Sequence, residues 1–290
     1  MWGRSIRRAY HTQPLTPISE IKTELAKLSG GSITLSKNES SGIAELVLNY
    51  PESYNALTGS MMVELDETLE ELGTWKTGKG ILLSGAKNPA NYFCSGGHLT
   101  TVKSGDSPEK GFRMSVLMNH VSRKLQNLPL VTVSVLEGPA LGGGAELATT
   151  TDHRLATSSA FVAFVQTKMG LCTGFGGGGL LVNLVGYNRA LDLIISGRKL
   201  RAEEGLRLGY FDADVSEGRG VEDGLEWLER RTKHCTPLVI KNTKAVLRQR
   251  LSIPDEYTGI SSDEYESRLF AELWYGEAHR SALGQNIKHK

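Results

Sequence analysis

Apolar positions recur with two different periods along this chain, and the change between them divides it. Ile18, Ile21, Leu25 and Leu28 stand three or four residues apart, which predicts a short amphipathic helix over Ile18–Leu28 closed by Gly30-Gly31. Ser32–Leu35 and Ile43–Leu48 read as strands around a polar turn. Met61–Leu72 returns to helical spacing, with Glu64, Asp66, Glu67, Glu70 and Glu71 forming an expected solvated face. From Ile81 onward short apolar strands alternate with helical stretches, the order of parallel strands joined by crossovers. Lys103–Gly111 gathers Gly, Pro, Ser and charge and reads as a surface loop. Beyond Tyr210 the strand signal fades, and Val221–Lys233, Pro237–Leu251 and Ser261–Tyr275 follow as three helical patterns. The expected layout is an α/β protein with a basic leader at 1–17, a core domain at 18–210 and a helical region at 211–290.

Composition narrows the class. The chain has 290 residues, 39% apolar and 22% charged, with a formal net charge of +1. That balance suits a soluble domain, and it gives nucleic acid no basic footprint. No apolar run approaches the ~20 residues that span a bilayer. Cys94, Cys172 and Cys235 match no metal-ligand spacing and are odd in number, so neither a metal centre nor a disulfide framework is expected. Arg4, Arg7 and Arg8 precede the first acidic residue, Glu20, which resembles a mitochondrial presequence as much as a disordered leader.

The chemistry is concentrated in Glu137-Gly-Pro-Ala-Leu-Gly-Gly-Gly-Ala-Glu146-Leu147, which follows the apolar run Leu128–Leu136. A strand that ends in glycines and opens a helix leaves N–H groups unpaired at the positive end of the helix dipole. Such a turn suits an anion, or an oxygen becoming one. Glu146 falls in the first helical turn, within reach of the same reacting centre. A second glycine turn, Asn91-Tyr-Phe-Cys-Ser-Gly-Gly-His-Leu99, follows the strand-like Gly80–Gly85. Tyr54-Asn-Ala-Leu57 lies upstream of it, and Phe164-Val-Gln-Thr-Lys-Met-Gly170 leads downstream into Gly174–Gly179.

In order and spacing these four segments, spread over about Gly31 to Arg250, resemble the crotonase superfamily, which works on coenzyme A thioesters. The resemblance implies a spiral of ββα units with a C-terminal helical trimerisation region, and a homotrimer or a dimer of trimers. It also implies backbone donors at Ser95 and Gly143 for the thioester oxygen, and substrate contacts at Asn55, Ala56, Gly96, Gly97 and His98. No cofactor is implied, since coenzyme A arrives as part of the substrate, and relatives are placed in the cytosol. The family's hydratases activate water with two glutamates. The first matches Glu146, but the second falls on Gln166, which cannot take a proton. His98 stands where relatives carry aspartate; it reads as a structural hydrogen-bonding group or as a contact for a substrate carboxylate. Gly178 and Gly179 replace larger polar residues, and Asp152-His153-Arg154 is expected to serve as buried ion pairing or capping.

The Glu146/Gln166 combination favours a substrate that brings its own carboxylate on the α-carbon, as a malonyl-type thioester does. A second enzyme carboxylate about 4 Å away would repel it by ~4 kcal/mol at an effective dielectric near 20. Phe161, Phe164, Val165 and Met169 offer apolar neighbours for that group. Decarboxylation is therefore the expected reaction, with catalytic roles for Glu146, Gly143, Ser95 and Gln166. Hydration or double-bond isomerisation by Glu146 alone is the alternative, and a non-catalytic CoA- or RNA-binding relative a third.

Overall fold

The computed structural model describes residues 16–251 and 274–284, with Ser267, Phe270 and Ala271 between them. The leader and most of the helix expected over Ser261–Tyr275 lie outside the described residues.

Among the described residues nine strands form two sheets: β1 (Ser32–Asn38), β2 (Ile43–Asn49), β3 (Gly80–Gly85), β4 (Val131–Leu136), β5 (Pro139–Leu141), β6 (His153–Ala156), β7 (Phe161–Ala163), β8 (Leu200–Arg201) and β9 (Ala213–Asp214). The larger sheet has the order β1-β2-β3-β4-β6-β9, and the smaller β5-β7-β8. From β2 to β9 the larger sheet is parallel; only the β1–β2 hairpin is antiparallel. Helical crossovers join the parallel strands, and β3 and β4 are buried on both faces, as continuous apolar runs require. Leu82, Val133, Val135 and Leu155 pack one face of the sheet onto Val215, Trp227 and Leu228. The helix Gly220–Thr232 therefore lies on the sheet itself, and β9 adds a strand to it from beyond Tyr210.

Two expectations are corrected. The acidic face of the helix Gly59–Gly73 is not solvated throughout, because Asp66 is buried. Its carboxylate meets Lys124 Nζ at 2.7 Å, Lys22 Nζ at 3.1 Å and His120 Nε2 at 3.4 Å. Burial pushes its pKa up, but the bonds from Lys124 and Lys22 outweigh that and hold it below the usual aspartate range. The helices Ile18–Leu25 and Pro108–Asn127 bring those cations in from both sides, which spacing within one helix could not reveal.

The second correction is Lys103–Gly111. The helix Leu99–Ser104 covers its start, and Pro108 opens a 20-residue helix whose N-cap Ser107 accepts from Lys110 N at 3.3 Å. Gly105 and Gly111 are there for another reason. A Cβ at either would fall under 3 Å from the Trp274 ring, which fills the space they leave.

Asp66→Ala is expected to destabilise the protein by about 2–4 kcal/mol, since it removes the buried anion that Lys22 and Lys124 share. Glu70→Ala, at an exposed position on the same helix, should cost less than about 1 kcal/mol. Urea unfolding of the two variants checks this; equal losses would contradict the buried role of Asp66.

Candidate active site

The two glycine turns meet because the segment Phe93–Gly97 runs alongside β5. Cys94 bridges Ala140 in parallel, Phe93 N donates to Pro139 O at 3.0 Å, and Leu141 N donates to Cys94 O at 2.9 Å. Gly96 sits at φ +104°, a conformation side chains rarely adopt, and a Cβ there would meet Leu141 O at 3.0 Å. The thiol of Cys94 is buried and pushed up to about 12 by that burial, so it packs and does not react.

Gly142, at φ +51°, turns the chain into the helix Gly143–Thr149. The Gly143 N–H has no acceptor among the described residues, as expected for the first turn of a helix. Ser95 is different. Its N–H donates to Tyr54 O at 3.1 Å and its Oγ to Ser53 O at 3.1 Å. Tyr54 and Asn55 are consecutive left-handed residues (φ +53° and +57°), and this turn presents the Tyr54 carbonyl to Ser95. A thioester oxygen would have to share that amide. The Gly97 N–H, in the same turn, is uncommitted among the described residues.

Glu146 is fully buried, and its carboxylate receives bonds on both oxygens. Oε1 accepts from Gln166 Nε2 at 2.6 Å and Gly174 N at 3.3 Å; Oε2 accepts from Phe175 N at 2.8 Å and Gly177 N at 3.2 Å. Burial pushes its pKa up to about 7, although the four donors pull the other way. Gln166 stands in the short 3₁₀ turn Val165–Met169, and its Oε1 is buried without a partner.

A cavity of about 150 Å³ joins these groups. Ser95, Gly96, Gly97, Gly143, Glu146 and Gln166 line it. Asn55, Ala56 and His98 do not. Asn55 is fully buried, with Oδ1 accepting from Tyr50 N and Nδ2 donating to Ala86 O and Tyr92 O. Its side chain pins the turn and is not available to substrate, which leaves its backbone. His98 caps the helix Leu99–Ser104 through Nδ1, which accepts from Thr100 N at 3.3 Å, and its Nε2 lies 3.4 Å from Ser53 Oγ. The structural reading of His98 therefore fits its contacts. Of the expected apolar neighbours, Val165 and Met169 line the cavity, whereas Phe164 is buried in the core and Phe161 faces a separate basic cleft. Asp152 and Arg154 pair structurally, with Lys244 at 2.6 Å and Asp212 at 3.3 Å.

Sequence reasoning missed Phe270, Trp274 and His279, which close the cavity from near the C-terminus. The signal was indirect: Gly105, Gly111 and Gly174 leave space for the Trp274 and Phe270 rings. Among the described residues no group of three or more His, Cys, Asp or Glu is placed to hold a metal, and no helix is long and apolar enough to cross a membrane.

A family model described as enoyl-CoA hydratase/isomerase matches residues 38–280. Ethylmalonyl-CoA decarboxylase of Xenopus tropicalis is 38% identical over 277 residues, covering 94% of this chain and 89% of that protein. Its namesake in Rattus norvegicus is 36% identical over 273 residues, covering 93% and 88%. Among solved structures, an enoyl-CoA hydratase from Bacillus halodurans superposes with a TM-score of 0.77 at 22% identity, over 87% of this chain and 98% of that one.

The raised pKa of Glu146 has a consequence for stability. Between about pH 4.5 and pH 7 the folded chain holds a proton on Glu146 that the unfolded chain has released, so this group makes stability fall as pH rises, by up to roughly 3 kcal/mol. Above about pH 7 its contribution is constant. His120 and His279, whose pKa values are lowered chiefly by burial, act in the opposite sense over part of this range. The difference between wild-type and Glu146→Gln denaturation curves across pH 4–8 isolates the effect; a flat difference would place the Glu146 pKa near its ordinary value.

Proposed function

The chain belongs to the enoyl-CoA hydratase/isomerase (crotonase) family, and on that footing we propose that it decarboxylates ethylmalonyl-CoA, and less readily methylmalonyl-CoA. The observation that carries this reading is the 2.6 Å contact between Gln166 and Glu146. The carboxylate lining the cavity is answered by an amide where the family's hydratases have a second acid. Paired-acid activation of water is thereby lost, and no second enzyme carboxylate repels an acid on the substrate. The names of the relatives, at 34–38% identity over nearly the whole chain, support the same choice.

The proposed reaction uses the groups that line the cavity. The bond between the α-carbon and its carboxylate breaks, CO2 leaves, and the electron pair moves through the α-carbon onto the thioester oxygen. The enolate oxygen is received by the Gly143 N–H at a helix N-terminus, with the Ser95 amide as a second donor shared with Tyr54 O. No base is needed. The α-carbon then takes a proton, which Glu146 or a water it holds can supply because its pKa lies near neutrality. The product is butyryl-CoA, and coenzyme A, as part of the substrate, is the only nucleotide the chemistry requires. Tyr187, Leu191 and Ile195 form an exposed apolar stripe on one helix, and Leu238, Val239 and Leu247 are exposed on another. These surfaces suit the homotrimer that we propose, and we place the protein in the cytosol.

Purified protein given ethylmalonyl-CoA is expected to yield butyryl-CoA and CO2 in equal amounts, read by mass spectrometry. Absence of turnover, with efficient hydration of crotonyl-CoA instead, would overturn the proposal in favour of the hydratase reading.

Gln166→Glu should place two carboxylates in contact, one of which must then hold a proton. We expect it to lower kcat/KM for ethylmalonyl-CoA by roughly tenfold or more, while binding of butyryl-CoA, whose acyl group is uncharged, changes little. Equal losses on both would remove the repulsion argument. Glu146→Ala is expected to abolish most turnover.

A further inference from the structure

The cavity holds one side-chain donor that the proposed chemistry has not used. His279 lies in the helix Glu277–Gly284, which packs against the 3₁₀ turn carrying Gln166. It is fully buried and lines the same cavity as Gly143, Glu146 and Gln166. Its Nδ1 accepts a hydrogen bond from the Tyr275 N–H at 2.9 Å. That bond assigns the tautomer, since a ring nitrogen that accepts carries no proton, and the proton of the neutral ring is then on Nε2. The Nε2 atom is buried and has no partner.

We propose that the Nε2–H of His279 receives the α-carboxylate of the substrate and is the residue by which the cavity selects carboxylated thioesters. This rests on the decarboxylase reading. The other side-chain donors around the cavity are each engaged at least once, and Gln166 Nε2 spends one of its two hydrogens on Glu146. Gln166 Nε2 is bound to Glu146, Ser95 Oγ to Ser53 O and Trp274 Nε1 to Gly105 O. The unpartnered atom of Gln166 is Oε1, an acceptor, and its amide is drawn against Glu146, whereas His279 Nε2 is a buried donor with no partner at all. The thioester oxygen is assigned to the backbone at Gly143, and the acceptor left at the acyl end of the substrate is its carboxylate.

The surroundings suit a neutral donor. Met169, Leu171, Phe175, Phe270 and Trp274 make the wall apolar, and burial lowers the His279 pKa, which keeps the ring uncharged. Glu146 is the only other ionisable side chain lining the cavity among the described residues. A cation at this point would bind the carboxylate so well that its loss as CO2 would be opposed. A single N–H orients the group without that penalty.

The test uses full-length protein and compares His279→Leu with His279→Gln, whose amide reaches the position of Nε2. Decarboxylation of ethylmalonyl-CoA is measured as kcat/KM, and butyryl-CoA, which lacks the carboxylate, as a competitive inhibitor. The Leu variant should lose roughly tenfold or more on ethylmalonyl-CoA with the butyryl-CoA inhibition constant within about twofold of wild type, and Gln should recover most of the loss. Equal weakening of both ligands, or no recovery with Gln in a protein whose thermal melt matches wild type, would overturn the assignment. If wild-type protein leaves ethylmalonyl-CoA intact, the decarboxylase reading fails by itself. Calorimetric binding of intact ethylmalonyl-CoA to wild type and His279→Leu then decides the carboxylate contact separately: selective weakening supports it, and unchanged binding overturns it.

Discussion

A single buried carboxylate organises the centre of this molecule. Glu146 takes hydrogen bonds from Gly174, Phe175 and Gly177 and from the amide of Gln166, so one side chain ties the helix Gly143–Thr149 to two separate loops. A charge at that depth is costly unless every lone pair is answered, and here each oxygen has two donors. The loop Gly174–Gly177 can approach because a side chain at Gly177 would collide with Glu146 itself. The free amide of Gly143 is presented by the same helix. The unpaired Gly143 amide, the acid and the loops that form the wall thus share one anchor.

The outlines of this arrangement were legible in the chain. Alternating and continuous apolar runs placed β2 and β3 nearly to the residue, and the end of β4, because a strand buried in a parallel sheet leaves little latitude in composition; the run before β4 began three residues early, at Leu128. The two glycine turns were read as offering N–H groups to one reacting centre, and the structure puts them side by side through the contact of Phe93–Gly97 with β5. Gln166 was identifiable as a departure from an acid, and it does face Glu146.

The parts that escaped are those where a residue's meaning depends on a distant partner. Asp66 looked like one more surface acid until Lys22 and Lys124 arrived from other helices. Asn55 looked available for a ligand, yet its three polar bonds run to Tyr50, Ala86 and Tyr92, which fold back around it. Ser95 offered an amide that the left-handed turn at Tyr54 engages first. Local pattern reports periodicity and turn chemistry well; it carries no information about which side chain will fill a gap left by a glycine far away in the sequence.

The gap at Gly105 and Gly111 has a temporal consequence. The ring that fills it belongs to Trp274, and His279 follows five residues later, so the walls of one small chamber are drawn from positions 95 to 279. A nascent chain can assemble its parallel sheet and its anchored acid well before those positions leave the ribosome. The chamber is completed only once Phe270, Trp274 and His279 have emerged. Because Phe270 and Trp274 belong both to the main core and to the chamber wall, the two are finished together.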